Sequence, residues 1–116
     1  MLKKQHRLTS DFEYKVTRKY GNKYNFNLFN LVVCKPLNYE GPVKVGFVVG
    51  TTYHKSAVKR NRVKRLFRQA FLEAMESLPN NYWLAVYPKA SCLQNDNYEI
   101  ISTEINKALS TIPFTR

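Results

Sequence analysis

Seven of the fourteen residues at positions 55–68 are cations: Lys55, Lys59, Arg60, Arg62, Lys64, Arg65 and Arg68. None of the fourteen is acidic. Guanidinium groups present forked N–H donors that match phosphate oxygens, and lysine ammonium groups act on the same oxygens as point charges. Asn61, inside the run, can read a base edge or a ribose 2′-hydroxyl. The chemistry open to this set is recognition of a polyanion. A merely solvated helix face would mix signs to gain i, i+4 pairs, whereas here like charges repel. The cations also sit in the first turns of the helix expected here, where the macrodipole disfavours positive charge by about 0.3–1 kcal/mol each. A helix N-terminus with free N–H groups suits phosphate for the same reason.

Groups for bond-breaking chemistry are sparse. His6 and His54 are the two histidines, one near the start and one in a loop, and each reads as an exposed polar residue. Asp11 and Glu13 read as helix-cap residues, as do Asp96 and Glu99, so no two-metal carboxylate cluster is evident. Cys34 and Cys92 lie far apart and form neither a zinc pattern nor a disulfide framework. Both read as small apolar side chains in a reducing compartment. No catalytic residue and no protein-bound cofactor or metal is expected.

The elements that must carry the basic run follow from periodicity. Ser10 with Glu13 three residues on is a capping box that opens a first helix, with Phe12 and Val16 four apart on one face and Gly21-Asn22 as its stop. Residues 24–33 alternate as one strand, with Phe29, Leu31 and Val33 on one face and Tyr24, Phe26, Leu28 and Val32 on the other. Residues 36–42 are turn material, and 43–49 form a second strand that would pair with the first as a hairpin. Across 56–78, Val63, Leu66, Phe67, Ala70, Phe71, Ala74 and Leu78 make one apolar stripe. Continued backward, that stripe lands on Lys59 and Arg60, so the helix projects past its own packing. Residues 82–87 form a short apolar strand that belongs in the centre of a sheet. A last helix opens at 96–99 and packs through Ile101, Ile105, Ala108, Leu109 and Ile112. The order helix, strand, strand, helix, strand, helix makes an α+β fold, a two-layer sandwich with a small mixed sheet.

The 116 residues fit one domain, 1–116, with 44% hydrophobic residues and 14% aromatics. Net charge is +11, and it is confined. Residues 1–68 hold 16 Lys and Arg against three acids, and the remainder holds three against five. Charge gathered on particular elements marks a binding surface. No apolar run reaches the roughly 18 residues that span a bilayer, and the basic start is not followed by a signal-peptide stretch, so a cytoplasmic protein without a membrane or protein partner is expected. Sixteen aromatics are more than one small core readily uses. Tyr24 and Phe26, on the strand face away from Phe29 and Leu31, would then stack unpaired bases. A structural RNA-binding module of the ribosomal-protein kind and a DNA-binding regulator remain the alternatives at this point.

The run Val58-Lys59-Arg60-Asn61-Arg62-Val63-Lys64-Arg65-Leu66-Phe67-Arg68 resembles the bacterial ribonuclease P protein component. The family pattern is Arg-Asn-Arg, a hydrophobic residue, Lys-Arg, two residues and Arg, and it is matched at Arg60, Asn61, Arg62, Lys64, Arg65 and Arg68. The opening, His6 to Phe12, is similar to the family's start. The resemblance implies a left-handed βαβ crossover that delivers the basic helix. It also implies a subunit of a tRNA-processing ribonucleoprotein endonuclease, in which the RNA, with Mg²⁺, cleaves the 5′ leader from precursor tRNA. On that reading Lys59, Arg60, Asn61, Arg62, Lys64, Arg65 and Arg68 contact the ribonuclease P RNA. Phe12, Val16, Tyr24, Phe26, Lys55 and Lys89 line the cleft for the precursor-tRNA leader. Two departures stand out: Val16 occupies the slot of a second aromatic, and the family's lysine pair before the basic helix is reduced to Lys55.

Overall fold

A computed structural model describes residues 3–114. Met1, Leu2, Thr115 and Arg116, part of the expected 1–116 domain, lie outside the described residues. Helix α1 (Asp11–Tyr20) opens at Ser10 with both halves of the capping box formed. The Ser10 hydroxyl accepts from the Glu13 amide at 3.1 Å, and Glu13 Oε1 accepts from the Ser10 amide at 3.0 Å. It ends at Gly21, a position that only glycine fits: a Cβ there would lie 2.5 Å from the Thr17 carbonyl and 2.7 Å from a Val32 methyl.

The single strand expected over residues 24–33 is two strands. β1 (Asn22–Asn25) and β2 (Phe29–Cys34) are joined by a tight reversal and pair antiparallel, Asn25 opposite Asn30. β3 (Lys44–Phe47) does not pair with β2 as the expected hairpin would. The sheet order is β1-β2-β4-β3, with β4 (Trp83–Pro88) antiparallel to β2 and parallel to β3. The most apolar strand takes the central slot because it is covered on both faces, and β3 is displaced to the edge. Helix α2 (Ala57–Ala74) is the crossover between the parallel neighbours β3 and β4, and α3 (Tyr98–Thr111), capped by Asn97, follows.

The apolar stripe of α2 (Val63, Phe67, Ala70, Phe71) and that of α3 (Ile101, Ile105, Ala108) cover one sheet face, over Phe29, Leu31, Val33, Val45, Leu84 and Val86. Helix α1 crosses the other face over Val32, Ala85, Cys34 and Trp83, with Leu8 and Val16. The α+β class is as expected, and the sandwich gains a partial third layer. Cys34 and Cys92 are both free and buried. No helix among the described residues is long and apolar enough to cross a membrane.

The reversal between β1 and β2 changes the expected face of Tyr24 and Phe26. Tyr24 stands opposite Leu31 in the register and so shares its face. Phe26 packs on Phe29 with ring centroids 5.1 Å apart, and Phe29 meets Phe67 at 5.6 Å. Both belong with the α2–α3 core, although Tyr24 also borders a hollow on the other side. Sixteen aromatics are thus largely absorbed by packing. The strand alternation that put these two on an open face does not hold, because a reversal inside the run restarts the period.

Candidate nucleic-acid interface

The N-terminal half of α2 carries its cations outward, as the stripe requires. Val63 and Phe67 are buried; Lys59, Asn61, Arg62, Arg65 and Arg68 are exposed; Arg60 and Lys64 are half-buried. Among the described residues, the side chains of Lys59, Asn61, Lys64, Arg65 and Arg68 make no hydrogen bond or ion pair. Two members of the set are engaged. Arg60 Nη1 donates to the carbonyls of His54 at 2.9 Å and Lys55 at 2.8 Å, closing the loop that enters the helix. Arg62 Nε donates to Asp96 Oδ2 at 2.9 Å and its Nη2 to the Asp96 carbonyl at 3.2 Å. The run therefore does have one acidic neighbour, 34 residues away in sequence and supplied by the loop before α3. Both side chains of that pair are about half exposed, 53% and 52%, so the pair adds little stability.

A groove runs beside α1 over the part of the sheet the helix leaves uncovered. One hollow, about 320 Å³, is lined by Arg7, Leu8, Thr9, Tyr14, Val45, Gly46, Phe47 and Arg68. A second, about 450 Å³, is lined by Arg18, Lys23, Tyr24, Asn25, Asn30, Val32 and Tyr87. Tyr14 lines the first and Tyr87 the second. Burial pushes the Tyr14 hydroxyl up, with Tyr87 and Glu13 adding to the rise and Arg68 opposing it. The Tyr87 hydroxyl is buried without a hydrogen-bond partner. Gly46 is the seat of Tyr14, since a Cβ at Gly46 would lie 2.1 Å from the Tyr14 hydroxyl oxygen. Aromatic faces flanked by cations are what unpaired nucleotides bind.

The structure redistributes the six residues expected in a leader cleft. Phe12 is 68% exposed but lines neither hollow, and two residues on an α-helix subtend about 200°, so Phe12 and Tyr14 occupy opposite flanks. Val16, on the Phe12 side, packs against the cluster of Leu8, Val32, Cys34, Trp83 and Ala85. Phe26 faces the core, and Tyr24 packs against the core while also lining the second hollow. Lys89 is a fastener: its ammonium donates to Asn25 Oδ1 and, at 2.6 Å, to the Phe26 carbonyl. Ser91 and Cys92 hold the same β1–β2 reversal through the carbonyls of Asn27 and Leu28. Lys55 is exposed in the loop that enters α2. Of the residues lining the groove, Tyr24 was expected there and Arg68 was expected on the RNA-binding helix, while Arg7, Tyr14, Arg18, Lys23 and Tyr87 were missed. Gly46, conspicuous inside an otherwise bulky strand, was the available sequence signal for Tyr14.

The two histidines are also placed. His6 Nδ1 donates to the Val43 carbonyl at 2.9 Å, and His54 Nδ1 accepts from the Ser56 amide at 2.9 Å. Both are half-buried backbone fasteners, correcting the expectation of free polar residues. Asp96 pairs with Arg62 instead of capping α3. Glu13 does cap α1, and it also meets Lys44 of β3 at 2.7 Å. Burial alone would raise its carboxyl, but the Lys44 ammonium and the Ser10 and Thr9 amides outweigh burial and bring the pKa to about 2. Among the described residues no three His, Cys, Asp or Glu side chains gather into one group.

Comparison with known proteins bears on the family and the fold. The sequence model of the family described as Ribonuclease P matches residues 2–113. The chain is 28% identical over 102 residues to the ribonuclease P protein component of Xylella fastidiosa (strain Temecula1), covering 87% of this chain and 73% of that protein. It is 39% identical over 83 residues to that of Synechococcus sp. (strain RCC307), covering 68% and 65%. In fold it resembles the RNase P protein from Thermotoga maritima, with a TM-score of 0.79 at 19% identity over 93% of this chain and 98% of that one. The Staphylococcus aureus RNase P protein gives 0.77 at 19% identity over 92% and 94%. Matched by that family's model over nearly its whole length, this chain belongs to the ribonuclease P protein family.

Proposed function

We propose that this subunit binds the ribonuclease P RNA through the outward face of α2 and holds the single-stranded 5′ leader of precursor tRNA in the α1–sheet groove. The observation that carries the first half is the set Lys59, Asn61, Arg65 and Arg68, exposed on one helix, with half-buried Lys64 among them, unpaired by any acid among the described residues. Arg62 joins them once it exchanges Asp96 for a phosphate, and Arg60 serves from beneath by fixing the helix entry. For the leader, Tyr14 takes the place expected of Phe12 and offers its ring, and Arg7, Arg18, Lys23 and Arg68 supply the charge along the groove. Phosphodiester cleavage, with the Mg²⁺ it uses, is assigned to the RNA. The protein contributes affinity and placement of the substrate in the cytoplasmic holoenzyme.

Reconstitution tests the proposal. This protein, added to a cognate bacterial ribonuclease P RNA at low Mg²⁺, stimulates leader removal, and does so more for precursors that carry a leader long enough to fill the groove. A folded protein that leaves the rate of the RNA unchanged overturns it.

A further inference from the structure

The groove has a wall and a floor that come from distant parts of the chain. The wall is the N-terminal segment and the first turn of α1, which supply Arg7, Thr9 and Tyr14. The floor is β3, which supplies Val45, Gly46 and Phe47. Backbone bonds and the seating of Tyr14 on Gly46 join the two. Leu8 donates its amide to the Val45 carbonyl at 3.1 Å, and His6 reaches the Val43 carbonyl. A charged link also ties them: Glu13, directly before Tyr14, and Lys44, two residues before Gly46, meet at 2.7 Å.

The link is built for geometry. Glu13 is a buried residue at 8% exposure, and its carboxylate is fully committed. Oε1 accepts from the Thr9 amide at 3.1 Å and from the Ser10 amide at 3.0 Å, and Oε2 takes Lys44. Lys44 is held from its other side by the Tyr39 ring, 5.7 Å from its ammonium, and Tyr39 in turn packs on Trp83 at 5.2 Å. Oε1 therefore ties Glu13 to its own helix start, and Oε2 ties that start to the strand. We propose that Glu13 and Lys44 are positioning residues, whose ion pair sets the height of α1 and the N-terminal segment over β3 and so the width of the groove. The inference rests on reading that groove as the leader site. It predicts a function for two residues that touch neither RNA nor leader.

Lys44→Met keeps the stem and removes the charge, while Oε1 still caps α1, so the helix forms but its tie to β3 is lost. Hydrogen exchange reads the tie directly: protection of the Leu8 amide falls by about tenfold or more, while amides in the core of β4 keep theirs. In the reconstituted holoenzyme the preference for leader-bearing precursor over mature tRNA falls by about tenfold, a loss expected of small misplacements. Affinity for the ribonuclease P RNA, which is read by α2, stays within about twofold. Lys44→Arg, which can still reach the carboxylate, restores both protection and preference. Should Lys44→Met not fold, Glu13→Gln makes the same test, since its amide oxygen can still accept from Thr9 and Ser10. Unchanged Leu8 protection overturns the positioning role, as does a parallel fall in leader preference and RNA affinity. If the unaltered holoenzyme shows no leader preference while Lys44→Met still frees Leu8, the tie stands and the leader reading of the groove falls.

Discussion

The outer face of α2 and the Glu13–Lys44 corner of α1 use the same kind of side chain to opposite ends. On α2, Lys64 and Arg65 have no acid within reach and their charge is left to an outside partner. At the corner, the Lys44 ammonium is neutralised internally, stacked on Tyr39 and partly buried. A cation that finds a buried carboxylate is architecture; a cation left unpaired on a helix that runs past its own packing is free for an outside partner. Charge count alone does not separate the two, because both lie in the same strongly basic half of the chain.

Mutations can sharpen or break that division. The largest effect belongs to the corner. Lys44→Met leaves a buried carboxylate without its counter-ion and lowers stability by about 3 kcal/mol, measured by denaturant titration near neutral pH. The same pair gives a pH signature. The Glu13 carboxyl is held at about 2, below the usual carboxylate range, so its contribution is present above the unfolded pKa and is lost as pH falls from about 4.5 toward 2. The stability gap between the unaltered protein and Glu13→Gln therefore narrows across that window, and a gap that stays constant refutes the linkage.

Gly46→Ala comes next. Its new methyl collides with the Tyr14 hydroxyl, which costs roughly 1–3 kcal/mol of stability and shifts the ring that lines the groove. Pairing it with Tyr14→Phe, which removes that oxygen, recovers part of the loss. On the interface side, Arg65→Ala leaves the melting temperature unchanged and weakens binding to the ribonuclease P RNA by about 1–3 kcal/mol at fixed salt. If Arg65→Ala instead destabilises the fold, the division between architecture and interface is misdrawn.

Tyr14→Ala reduces binding of leader-bearing substrate by about 1–3 kcal/mol, whereas Phe12→Ala, on the opposite flank, leaves it nearly unchanged. The smallest effect is at the boundary between the two classes. Asp96→Asn frees Arg62 from an exposed pair, changing stability by less than about 1 kcal/mol and modestly tightening RNA binding.

Helices were legible in the sequence and strand neighbours were not. The capping box of α1 involves Ser10 and Glu13, three residues apart, and the α2 stripe repeats within a few turns. Such local patterns survive whatever the rest of the chain does. The reversal between β1 and β2 escaped because Phe26, Asn27 and Leu28 carry no glycine or proline, so an apolar run concealed a turn. The place of β3 escaped because a loop of residues 35–43 lets the next strand skip a position, and a parallel neighbour is reached only through the α2 crossover.

The sequence by itself determined that one helix exposes an unmixed cationic face, since periodicity of 3.6 residues assigns that face from neighbours alone. Only the tertiary structure decided which cations stay free: Lys44 meets an acid 31 residues away and Arg62 one 34 residues away. It also decided which aromatic of α1 enters the groove, because Tyr14 and Phe12 differ only in which flank the packing of Glu13 and Thr17 turns toward the open sheet. Contacts of that kind depend on strand order and on where an element comes to rest. Those are set by how the buried surfaces fit together, which no stretch of a few residues encodes.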